Sequence, residues 1–168
     1  MVLPAPGGQS PPLLLVFAPR RPRYVSMTAP SLHNLRIVAF AGRQAGPVAE
    51  RIAAHGGRPL VARGQEGASD ARQPLMNGIR ALIGEEAPGV VFLGPSPVDC
   101  VQRVAARRGW ARSLRRALRD ALVAAQDAPT AAALRGHDFP VHYVPDEPAL
   151  SALIDGVAER VAPSDRAP

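Results

Sequence analysis

The sequence predicts an α/β fold: a single flavodoxin-like domain with a five-stranded parallel sheet and helices on both faces. Three observations predict it. Short apolar runs rich in branched residues alternate with segments whose apolar residues recur at helical spacing. Runs such as Ile37–Ala41 and Val90–Leu93 are continuously apolar instead of every second residue, as strands buried on both faces require. Five such runs fall within residues 35–161, the length of one doubly wound unit.

Each element follows from its residues. Arg36–Ala41 (RIVAFA) is a buried strand. Gln44–His55 carries Val48, Ile52 and Ala53 at helical spacing, and Gly56-Gly57 stops it. Arg58–Ala62 is a second strand that Pro59 places near its start. Arg63–Asp70 reads as a polar loop, and Leu75–Ile83 as a helix built on Leu75, Ile79, Leu82 and Ile83. Val90–Leu93 is the third strand. After Gly94-Pro95-Ser96-Pro97, a helix with Ser96 as its cap runs to about Arg108, and a second covers Ala111–Arg119. Ala121–Ala125 is the fourth strand, Pro129–Arg135 a short helix, Val141–Val144 the fifth strand and Pro148–Val161 the last helix.

Residues 1–34 lie outside this pattern. The first 26 hold six prolines and no acidic residue, a composition that cannot build a packed core, so a disordered segment is expected. Their arginines, Arg20, Arg21 and Arg23, follow the apolar run Leu13 to Ala18 instead of preceding it, unlike a secretory signal. Met27, just before the periodic region, is expected to be the true start. Residues 162–168 read as a disordered tail. No apolar run approaches the roughly 20 residues of a membrane span, and a cytoplasmic location is expected.

The chain has 168 residues and a net charge of +6, and all 20 basic residues are arginine. Lacking lysine, it cannot carry a Walker A loop, a kinase lysine, Schiff-base chemistry or the Tyr-x-x-x-Lys pair of short-chain dehydrogenases. One cysteine excludes a disulfide framework and a cysteine-based zinc site within one chain. Removing Arg20, Arg21 and Arg23 leaves 17 arginines against 14 acidic residues, a net +3. Arg103, Arg107, Arg108, Arg112, Arg115, Arg116 and Arg119 concentrate on one helix pair. That face could attract a polyanion, but Trp110 is its one aromatic residue and no nucleic-acid motif accompanies it, so a nucleic-acid partner is not expected.

Ligands of such sheets sit at the carboxyl ends of the strands. The loop AGRQAGP after the first strand could hold an anion on its amides, and Arg63 at the end of the second could meet the phosphate of NADP. Against that reading, Val48 or a neighbour fills the third glycine position of the dinucleotide fingerprint. Ser96 lies in no Gly-x-Ser-x-Gly elbow. Cys100 reads as small apolar filler. His33, His55, His137 and His142 lack metal-ligand spacing. Asp146 and Glu147 look like the cap and first-turn acid of the last helix. A phosphate-accepting aspartate is missing from the first strand, which ends Phe40-Ala41-Gly42-Arg43.

Across 35–161 the chain resembles the uroporphyrinogen-III synthase family of tetrapyrrole (haem, sirohaem, cobalamin) biosynthesis. RIVAFAGRQAGPVAERIAAHGGRPLVA is similar to the family's first strand, arginine-containing loop, helix and second strand. GVVFLGPSPVDCV resembles its Phe-Thr-Ser loop, ALVAAQDAPTAAALRG its Gly-Pro-x-Thr-Ala segment, and FPVHYVPDEPALSALIDGV its Val-Pro-Glu loop and closing helix. Leu93 and Gly94 replace the family's Thr-Ser, and Asp127 and Ala128 replace its Gly-Pro, whereas Thr130 is kept. The family enzyme has two such α/β units with its substrate between them, and the resemblance covers one.

The resemblance implies a cofactor-free hydro-lyase. Its reaction cyclises hydroxymethylbilane, a linear tetrapyrrole with eight carboxylates, to uroporphyrinogen III with inversion of ring D. Arg43, Ser96 and Thr130 would line the cleft through side chains or nearby amides. A second unit or a second copy of the chain would complete it. The residues alone leave two alternatives open: a non-catalytic α/β binding module and a nucleotide-binding Rossmann-like domain.

Overall fold

In a strand, successive side chains leave by opposite faces, so a uniformly apolar strand must be covered twice. The computed structural model describes residues 31–63 and 72–161 and shows this arrangement. Strands β1 (Arg36–Ala41), β2 (Arg58–Arg63), β3 (Gly89–Leu93) and β4 (Leu122–Ala125) pair in parallel in the order β2-β1-β3-β4. On one face Val38, Phe40, Val90, Phe92 and Val123 meet α2 (Arg72–Ile83), α3 (Pro95–Arg107), α4 (Ala111–Asp120) and α5 (Ala128–Gly136). On the other, Ile37, Ala39, Val91, Leu93 and Ala124 meet α1 (Ala45–Ala54) and α6 (Leu150–Val161). Phe40 and Phe92 are register partners in adjacent strands, and their rings stack with centroids 5.0 Å apart.

The α/β class and the helices on both faces stand, but the sheet has four strands among the described residues, not five. Val141–Val144 makes only an isolated bridge, Ala124 to Tyr143. Its ladder starts and stops within three residues: the His142 N–H donates to Val123 O at 2.9 Å, and the Ala125 N–H to Tyr143 O at 2.9 Å. Between them, the Val123 N–H donates to the His142 ring nitrogen Nδ1 at 2.9 Å. A side chain has taken the place of the backbone acceptor a regular ladder would use. Pro140 and Pro145, which carry no N–H, bound the segment on either side.

The ordered arrangement begins ahead of the expected boundary at Leu35. Leu32 is fully buried in the cluster beneath α1, and its N–H donates to His55 O at 2.8 Å. Ser31 Oγ donates to the same carbonyl at 3.3 Å. The expectations for residues 1–30, for Met27, for 162–168 and for most of the loop Arg63–Asp70 lie outside the described residues. Among those described, no helix is long and apolar enough to cross a membrane.

Candidate functional site at the carboxyl edge of the sheet

Strands β1, β3 and β4 are neighbours, and each hands the chain to a helix at its carboxyl end. The amino ends of α1, α3 and α5 therefore gather along one edge. The first N–H groups of a helix have no intrahelical acceptor, and the helix dipole makes that end positive. None of the three has an acidic residue in its first turn.

Proline sets which donors remain. In α1 the first helical bond is Val48 N–H to Gln44 O at 3.0 Å, and Pro47 lacks an N–H, leaving Ala45 and Gly46. In α3, Pro95 and Pro97 both lack one, leaving Ser96. In α5, Pro129 lacks one and Thr130 N–H is taken, leaving Ala128. The Gln126 side-chain amide donates to Gln44 Oε1 at 3.4 Å. That bond ties the loop after β1 to the loop after β4, with the end of β3 between them in the sheet order.

The three sequence-predicted residues all fall on this edge but differ in what they offer. Arg43, two residues past the end of β1, is exposed and has no carboxylate within ion-pair distance among the described residues. Ser96 is exposed but does not cap α3, as the sequence reading expected. The cap is Gly94, at φ 101° and ψ 161°, a backbone conformation open to glycine and strained for other residues. Ser96 is the second residue of the helix. Thr130 is fully buried. Its N–H and its hydroxyl both donate to Asp127 Oδ1, at 2.8 and 2.5 Å. Thr130 therefore reaches the edge through the carboxylate it orients.

Asp127 is the residue that sequence reasoning passed over. The run Asp-Ala-Pro-Thr carries its signal: an acceptor at the cap, proline in the first turn, and a donor three residues on. Asp127→Ala is expected to cost about 1–2 kcal/mol, because α5 loses its cap and the buried Thr130 hydroxyl its partner. Asp127→Asn keeps the acceptor and is expected to cost less than half as much. Urea unfolding of the two variants checks the order.

The other candidates lie elsewhere or are already engaged. His137, just past α5, bonds Asp99 of α3 at 2.8 Å, and His55 bonds Asp155 of α6 at 2.8 Å. His142 serves β4. Cys100 is buried, and Asp146 and Glu147 are exposed ahead of α6. Among the described residues no group of three His, Cys, Asp or Glu side chains could hold a metal. Val48 is fully buried against the sheet, where a dinucleotide fingerprint would place its last glycine.

No protein-family model and no curated protein matches the sequence. The chain matches the crystal structure of uroporphyrinogen III synthase from the extremely thermophilic bacterium Thermus thermophilus, with a TM-score of 0.49 and 22% sequence identity. The match covers 76% of this chain and 49% of that one, so this chain spans about half the length of the protein it matches.

Proposed function

We propose that this chain is a uroporphyrinogen-III synthase-like unit that holds a linear tetrapyrrole, hydroxymethylbilane, by its carboxylates at the carboxyl edge of the sheet. The observation that carries the reading is the convergence of three helix amino ends and the unpaired cation of Arg43 on one edge. A ligand with several carboxylates can meet several such donors at once, where a single anion meets one. Three of the four segments of sequence that resemble the family contribute to this edge.

In this reading Arg43 pairs with a propionate or acetate side chain, and the amides of Ala45, Gly46 and Ser96 take others. Asp127, oriented by Thr130, accepts from a pyrrole N–H. The reaction loses water and closes a ring, and it needs no electron carrier. The protein's part is to fold the chain of pyrroles so that its ends meet, and to stabilise charge as the hydroxyl leaves. Complete enclosure calls for a second unit or a second copy facing this edge.

The test supplies enzymatically made hydroxymethylbilane and separates the products by chromatography. The III isomer is expected. Only the I isomer, which forms by unassisted closure, would overturn the catalytic reading. Arg43→Gln is expected to weaken tetrapyrrole binding about tenfold, the loss of one charge-assisted contact. Unchanged affinity in that variant would remove this edge as the binding surface.

A further inference from the structure

Away from the sheet edge, positive charge accumulates between two helices with no paired carboxylate among the described residues. A groove of about 110 Å³ lies between the first turns of α2 and the end of α3, lined by Arg72, Met76, Val104, Arg107 and Arg108. The three arginines are exposed, and Met76 and Val104 are half-buried. Among the described residues no acidic side chain lines the groove. None of the three guanidiniums has a carboxylate within ion-pair distance among the described residues.

Like charges held this close repel each other. Arg107 and Arg108 gain from the negative carboxyl end of α3. Arg72 has no such reason for its place: it is the first residue of α2, where the helix dipole disfavours a cation. The cluster also draws on two helices, so it is a convergence of charge and not the solvated stripe of one helix.

We propose that this groove binds the phosphoryl group of a small phosphorylated organic molecule. Guanidinium presents its N–H groups in a rigid fork that matches phosphate oxygens in pairs. A phosphomonoester carries close to two negative charges and three acceptor oxygens near neutral pH, and three cations suit it better than they suit a singly charged carboxylate. Met76 and Val104 give the organic part an apolar floor. The volume suits one such group. Trp110, two residues past Arg108, is half-buried and has the Arg80 guanidinium 5.5 Å from its ring centre.

Calorimetric titration of the full chain at low salt tests this with four probes: inorganic phosphate, phenyl phosphate, benzoate and a single-stranded oligonucleotide. Phenyl phosphate is expected to bind one site, more tightly than inorganic phosphate, and to raise the melting temperature of the unaltered protein. Arg72→Gln and Arg108→Gln are each expected to weaken it about tenfold. Arg135→Gln, an equal charge loss on the exposed face of α5, is expected to leave it unchanged. Equal affinity for benzoate would overturn the phosphoryl assignment. Equal loss in Arg135→Gln would reduce the effect to net charge. Oligonucleotide binding that depends on Arg72 and Arg108, without phenyl phosphate binding, would assign the groove to a nucleic-acid backbone instead.

Discussion

Replacing Phe92 by alanine is expected to destabilise the fold by about 3–5 kcal/mol, a larger effect than any other substitution considered for this chain. Phe92 is fully buried in β3, between β1 and β4. Its ring fills the space beneath the helices on that face and stacks on Phe40 at an interplanar angle of 26°. Truncation removes the transfer energy of the ring and leaves a void the strand cannot close, since both its neighbours are fixed by ladder bonds. Urea unfolding reads the loss as a fall in the midpoint at unchanged slope. A double-mutant cycle with Phe40→Leu and Phe92→Leu is expected to show coupling of about 0.5–1.5 kcal/mol from the ring pair. A Phe92→Ala loss below about 1 kcal/mol would mean that the face is far looser than the burial implies.

The second large effect is expected at Gly156 of α6. A Cβ there would overlap the ring and hydroxyl of Tyr143. The tyrosine cannot swing aside cheaply: its hydroxyl donates to Ala152 O at 3.1 Å, and the Arg160 guanidinium sits 4.1 Å from its ring centre. Gly156→Ala gains about 1 kcal/mol of helix propensity but overpacks the contact by about 3 kcal/mol. A net loss of about 2 kcal/mol is expected. In a Tyr143→Ala background the overlap is gone, and the same change is expected to become stabilising by about the propensity gain. Loss of stability from Gly156→Ala in both backgrounds would show that Tyr143 is not the obstacle.

Much of the fold was legible because its signals are local. β1 and β3 are short runs of Ile, Val and Phe that no helical period explains, and they fell where expected. The ends of α1 followed from Gly56-Gly57 and from the apolar spacing of Val48 and Ile52. Part of what failed depended on partners distant in sequence. VHYV has the branched and aromatic residues of a strand, but nothing in those four letters says that a histidine ring will take the acceptor's place. Ser96 looked like a cap because serine usually is one, yet the turn demanded a positive φ and Gly94 supplied it. At the candidate site, Arg43 and the three helix starts could be read from glycine and proline placement. The tie between Gln44 and Gln126 could not, because it joins loops 82 positions apart. The burial of Thr130 also needed the packing of α5 to be seen.

The irregular segment beside β4 has a consequence for how the molecule meets other chains. Exposed strand edges invite strand addition and, from there, aggregation. On the β4 side the segment bearing His142 already occupies the backbone groups of Val123 and Ala125, so the ladder cannot be extended there. On the opposite side β2 has no further strand beside it among the described residues, and its chemistry resists templating. The Arg58 N–H donates to Leu35 O at 2.8 Å, toward β1, which turns the next residue, Pro59, outward. Proline there offers no donor. Arg58 and Arg63, both exposed, add like charge at either end of the strand. An incoming strand would find a gap in the donor row between two cations. Among the described residues both margins of the sheet are thus poor templates for an added strand.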